Sequence, residues 1–175
     1  MDAPDIAARV SRLLGGREVH RLQALQELWS GYGAIYRGAL AGADPSTVII
    51  KAVAPPTQSN HPRGWDSDRS HRRKLRSYAV ERHWYLEHAP RCGAGCRVPR
   101  LLAESSSDDG WLFVFEDLDA SGFPARRDSV SASADEIRAC LRWLASFHAT
   151  FVGREPAGLW PIGTYWHLDT RPDEL

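Results

Sequence analysis

The spacing of apolar positions changes period along this chain, and each change marks an element. Ile6, Val10, Leu13 and Leu14 recur at helical spacing, so Ala3 to Leu14 reads as a short helix stopped by Gly15-Gly16. From Val19 to Trp29 the apolar positions Val19, Leu22, Leu25 and Leu28 fit a helix or a partial alternation; the end of the stretch, up to Trp29, reads as a first strand. Gly31-Tyr32-Gly33 makes a turn, and Ala34 to Leu40 returns as a second strand. Thr47 to Val53 is a β-branched run, a strand by composition, and Pro55-Pro56 ends it. Thr57 to Ser70 is polar and reads as a mobile loop. His71 to Ala89 reads as a helix with Leu75, Tyr78, Ala79, Leu86 and Ala89 inward. Val98 to Ala103 and Trp111 to Phe115 read as strands joined at Asp109-Gly110. Ser133 and Glu136 form a capping box, and the helix they open is expected to bury Ile137, Cys140, Leu141, Leu144, Phe147 and Phe151.

These elements predict an α+β fold: an antiparallel sheet of about five strands, a common sheet size, with the 70–89 helix packed on it and the 133–152 helix outside it. Composition agrees with one folded domain, at 43% hydrophobic and 25% charged residues. Lys+Arg 22 balance Asp+Glu 22, so no global charge draws the chain to nucleic acid or a membrane surface. The apolar run Trp111 to Phe115 is too short to span a bilayer, and the first residues lack a basic-then-apolar leader; a cytoplasmic location is expected. The cysteines are Cys92, Cys96 and Cys140, an odd count that argues against a disulfide framework. His83 and His88 precede Cys92, but no second Cys or His pair follows at zinc spacing, so reduced, unliganded thiols are expected.

The chemistry-bearing position is Lys51, set into an apolar strand. A lysine buried there needs an anion, and two are in reach by sequence: Glu81 on the following helix, and a phosphate held by the upstream turn Ser30-Gly31-Tyr32-Gly33. The bland alternatives are a lysine snorkelling to water and a plain hairpin that needs glycine for its backbone. Glycine turn, strand lysine and helix glutamate, in that order, are the phosphate-handling parts of a kinase amino-terminal lobe. Arg69, Arg72, Arg73, Lys74 and Arg76 crowd the start of the helix, as a solvated face or an anion contact. Glu116-Asp117-Leu118-Asp119 ends the last strand, as a surface turn or as a connector whose Glu116 carbonyl and Leu118 N–H face an adenine.

Taken in order, these motifs resemble the aminoglycoside-phosphotransferase-like kinases, closest to the branch with choline-kinase-like and ecdysteroid-kinase-like proteins. The matching stretches are Ser30 to Arg37, Val48 to Lys51, Arg76 to Tyr85, Leu112 to Leu118, Leu144 to Ala149 and the tail Gly158 to Arg171. The resemblance implies a two-lobed kinase-like fold, ATP with magnesium, and phosphoryl transfer to a hydroxyl of a small molecule. It divides the chain into an amino-terminal helix (1–18), a nucleotide-binding lobe with its connector (19–119) and the start of a helical lobe (120–175). By position it implies that Lys51 holds phosphates and pairs with Glu81, that Ser30, Gly31, Tyr32 and Gly33 cover the phosphates, and that Glu116 and Leu118 take the adenine. The family also needs a catalytic Asp with Asn five residues later. Asp169 is followed at that spacing by Glu174, so neither catalytic residues nor magnesium ligands are expected within the chain. Two readings remain open: a phosphotransferase segment, and a non-catalytic nucleotide-binding module. A nucleic-acid binder resting on Arg69 to Arg76 is the weakest alternative.

Overall fold

The computed structural model describes residues 2–42, 45–56, 68–124, 126, 131–162 and 167. Of the loop expected at 57–70, residues 57–67 lie outside the described residues, as do Asp169 and most of the aromatic tail, while 68–70 are helical and open α2 three residues earlier than the sequence suggested.

Five strands, β1 (Val19–Glu27), β2 (Gly33–Leu40), β3 (Thr47–Val53), β4 (Leu101–Ser107) and β5 (Gly110–Glu116), form one sheet in the order β1-β2-β3-β5-β4. Every neighbouring pair is antiparallel. The central strands β3 and β5 are apolar at both parities because both faces of the sheet are covered. Val48, Ile50, Leu112 and Val114 point to one face, where helix α1 (Ala3–Leu13) lays Ile6 and Val10 onto them. Ile49, Val53, Phe113 and Phe115 point to the other, against Tyr78 and Tyr85. The amino-terminal helix is therefore a working layer of the core. Ile6 is 1% and Val10 0% exposed, and burying each contributes roughly 1.5–3 kcal/mol. Asp2 caps α1 by accepting from the Asp5 N–H at 2.9 Å, and the Ser11 hydroxyl, near its end, accepts from the Val19 N–H at 2.9 Å, fixing the entry into β1.

Helix α2 (Asp68–His83) continues into one π-helical turn, Trp84–His88. The sequence reading placed Ala79 and Leu86 inward; both are exposed. A π turn adds a residue per turn and rotates the faces beyond it, so Leu86 turns outward and Trp84, Tyr85 and His88 take the inward positions; Ala79 precedes that turn and is exposed on the α-helical part. His88 is buried and stacks on Trp84, with ring planes 1° apart. Short 3₁₀ turns at Ala89–Arg91 and Ala94–Cys96 lead to β4.

Helix α3 (Ala134–Phe151) starts at the expected capping box: Ser133 accepts from the Glu136 N–H and the Glu136 carboxylate accepts from the Ser133 N–H. Its packing corrects the sequence reading. Ile137, Cys140, Leu141 and Leu144 are exposed, while Phe147 and Phe151 pack on Trp84. The helix docks through the neighbouring face: the Trp143 indole N–H donates to the Arg97 carbonyl at 2.9 Å, and Cys96 Sγ lies 3.6 Å from the Thr150 hydroxyl. Beyond α3 the chain returns along α2. Ala157 accepts a hydrogen bond from His88 Nε2 at 3.1 Å, Gly158 presses on His83, and Trp160 lies under the Arg76 guanidinium at 4.4 Å. A Cβ on Gly158 would stand 2.3 Å from His83 Nε2.

Candidate functional site

β3 holds Lys51 between Ile35 of β2 and Phe113 of β5, on the face turned to α2. Its Nζ donates to both carboxylate oxygens of Glu81, at 2.7 and 2.6 Å, and lies 5.2 Å from the Tyr78 ring centre. The lysine and glutamate side chains are 17% and 27% exposed. A pair with that much access to water contributes about 1 kcal/mol to folding; its larger effect is to hold an ammonium at a fixed place inside the sheet–helix cleft. The same helix is fastened to β4 by a two-pronged Arg82–Glu104 bridge at 2.8 and 2.7 Å. The Tyr85 ring packs 4.6 Å from that of Phe115; burial, then the Glu81 charge, pushes its phenol above the usual range.

The turn between β1 and β2 contains Ser30, Gly31, Tyr32 and Gly33. Ser30 is the one described non-glycine residue with positive φ, at 59°, and its buried hydroxyl has no hydrogen-bond partner. Gly31 has φ +72 and open space where a side chain would go. Gly33, at φ +126, is required by packing: a Cβ there would lie 2.0 Å from the Ala52 carbonyl oxygen. Tyr32 does not project from the turn. Its side chain is wholly buried, with its hydroxyl 2.6 Å from His71 Nδ1 on α2.

The connector after β5 shows where the acidic residues go. Glu116 is buried; its carboxylate accepts from Arg97 Nη2 at 2.7 Å and from the Arg100 N–H at 2.8 Å. Asp117, also buried, accepts from Arg37 Nε at 2.7 Å, Arg37 Nη2 at 3.2 Å, the Thr47 hydroxyl at 2.9 Å and the Asp119 N–H at 3.1 Å. Arg37 also donates to Asp119. Burial by itself raises the Asp117 pKa, but hydrogen bonds from Arg37 and Thr47 and the Arg37 charge outweigh it and hold the carboxyl below its usual range.

This network sits beside a cavity of about 180 Å³ lined by Ile49, Phe115, Leu118, Tyr85, Pro99 and the Arg37–Asp117 pair. Ile49 and Lys51 are two residues apart on one strand face, about 7 Å by strand rise, so the cavity and the ammonium share one side of the sheet. The chain matches no protein-family model and no curated protein.

The structure thus brings Lys51 to Glu81 and places Leu118 at the cavity, while Tyr32 and the Glu116 carboxylate are turned into the fold. A larger cavity of about 640 Å³, lined by Val98, Leu101, Cys92 and Phe123, adjoins the connector; of its charged wall residues, Arg97 and Glu116 pair with each other. Sequence reasoning missed Arg37 and Asp117. The available signal was an arginine at the same strand parity as Ile35, facing an acid at a strand end. Among the described residues no three His, Cys, Asp or Glu side chains converge on a metal-sized site.

Proposed function

We propose that this chain carries the nucleotide-binding lobe of an ATP-dependent phosphotransferase of the aminoglycoside-phosphotransferase and choline-kinase-like class, whose acceptor is a small-molecule hydroxyl. The observation that carries the reading is the Lys51–Glu81 pair on the face that also bears the connector cavity. A nucleotide has a flat apolar-faced ring at one end and anionic oxygens at the other. The cavity beside Ile49, Phe115 and Leu118 suits the ring, and Lys51 is the cation on the same face for the phosphates. Glu81 holds that lysine in place through both carboxylate oxygens. By the same resemblance, Ser30 and Gly31 of the β1–β2 turn would cover the phosphates. When bound, magnesium would offset charge on the phosphates.

A second reading, a nucleotide-binding module without transfer, is favoured by one feature of these 175 residues. Asn60 is their single asparagine, so no Asp within them is followed five residues later by Asn. The chain by itself is therefore expected to bind ATP weakly and to transfer no phosphate. Calorimetric titration of the purified chain with ATP, with Lys51→Ala alongside, tests this. Binding that vanishes in Lys51→Ala while the variant stays folded supports the nucleotide site. No binding to the folded parent, or equal binding by the variant, refutes it. ATP turnover that is lost in Lys51→Ala would remove the module reading, and loss also in Asp169→Ala would assign catalysis to that residue.

A further inference from the structure

Tyr32 is the largest fully buried side chain of the described residues, yet it belongs to a surface turn. Three contacts direct it to α2. Its hydroxyl shares a 2.6 Å hydrogen bond with His71 Nδ1, its ring lies 6.2 Å from the Tyr78 ring, and the Lys74 ammonium sits 4.6 Å from its ring centre. His71 and Tyr78 are two helical turns apart, so one side chain grips α2 at two levels. The Tyr32 backbone is held as well: its carbonyl accepts from the Ala54 N–H at 2.9 Å, and the next carbonyl, of Gly33, accepts from the Leu28 N–H at 2.8 Å. Tyr78 is in turn the ring beneath the Lys51 ammonium, one turn before Glu81.

We propose that Tyr32 is a positioning residue that makes the β1–β2 turn and helix α2 one body, so that the turn sets how Glu81 meets Lys51. This deepens, and for its nucleotide readout rests on, the function proposed above. The turn flanks the cleft while Glu81 lies inside it; without a tie the two would adjust independently. With the tie, a group bound under the turn is felt at the Lys51–Glu81 pair.

Amide hydrogen exchange on the free full chain tests the tie without nucleotide. Tyr32→Phe keeps the ring and removes the hydroxyl. The expected result is about fivefold faster exchange confined to 71–83, the effect of losing a typical hydrogen bond, with no further acceleration when His71→Ala is added. Acceleration spread equally over the sheet, or none in α2, overturns the proposal. ATP titration then separates this inference from the function. Tyr32→Phe is expected to weaken ATP binding about fivefold in the parent and not at all in a Glu81→Ala background, where the pair is already broken. If the parent binds ATP, Lys51→Ala abolishes binding and Tyr32→Phe binds like the parent, the inference falls and the function stands. If the folded parent does not bind ATP, the function falls and the exchange pattern alone decides the inference.

Discussion

Replacing Asp117 by Asn is the sharpest probe of what holds the connector to the sheet. The side chain is 4% exposed and accepts four hydrogen bonds, two of them from Arg37. Asn has the same size and still accepts from Thr47 or the Asp119 N–H, so the loss falls on the charge-assisted bonds to Arg37. Such bonds are worth about 1.5–3 kcal/mol each, and breaking a buried pair costs about 3–5 kcal/mol. Arg37 is 27% exposed and keeps Asp119, so part of its charge stays solvated or paired. The expected cost is therefore about 3 kcal/mol, a Tm loss of roughly 6–12 °C for a chain of this size. The pH dependence gives an independent check. The Asp117 pKa is lowered from its ordinary 3.8 in the folded protein, so its stabilisation is whole above that value and disappears as pH falls through the folded pKa. Calorimetric melting of both proteins should show a constant gap between neutral pH and about pH 5, closing below about pH 3.8. A gap under about 1 kcal/mol at neutral pH, or one that widens on acidification, would refute the reasoning.

Two further outcomes follow from local geometry. Gly33→Ala places a Cβ 2.0 Å from the Ala52 carbonyl oxygen at φ +126 and should cost at least about 3 kcal/mol in urea unfolding, whereas Gly31→Ala, at φ +72 in open space, should cost only about 1–2 kcal/mol. Burial, with Cys96 adjacent, pushes the Cys92 thiol up to about 11, so iodoacetamide at pH 8 should label exposed Cys140 first, Cys92 slowly and buried Cys96 only on unfolding; mass mapping that finds Cys92 modified first would contradict this.

Most of the sheet was legible because β-branched and aromatic runs have one economical solution, alternate faces each covered by a helix; β1 was not, since its apolar spacing fits either period, and the strand is Val19–Glu27 while Trp29, read as its end, lies in a 3₁₀ turn. Lys51 was legible for the opposite reason: a cation inside such a run demands a counter-charge, and Glu81 supplies it at 2.6 Å. Other features were hidden for identifiable physical causes. The π turn at Trp84–His88 has no compositional signal, so the helical period carried Leu86 to the wrong side; Ala79, which precedes it, was misplaced because period alone does not say how wide the covered face is. In α3 the period found an apolar stripe, but period alone does not say which neighbouring face another element covers. Ile137, Leu141 and Leu144 are 51%, 58% and 42% exposed because the 3₁₀ turn at Ala94–Cys96 meets the helix elsewhere. Val98 to Ala103 was placed too early in sequence as a strand: pairing with β5 begins at Leu101, after Pro99. The resemblance placed Tyr32 in a phosphate-covering turn by position alone, and only tertiary packing turns its ring inward.

The return of residues 157–160 along α2 imposes a timetable on the chain as it is made. His88 and Ala157 are 69 residues apart. At synthesis rates of about 5–20 residues per second, the second emerges roughly 3–14 s after the first. Over that interval the sheet, α1 and the inner face of α2 can assemble on the ribosome. Trp84 and His88 meanwhile lack their α3 and strap partners and present an aromatic patch to solvent. The nascent chain is thus open to holding chaperones at this patch between completion of its sheet and the packing of residues 157–160 along α2.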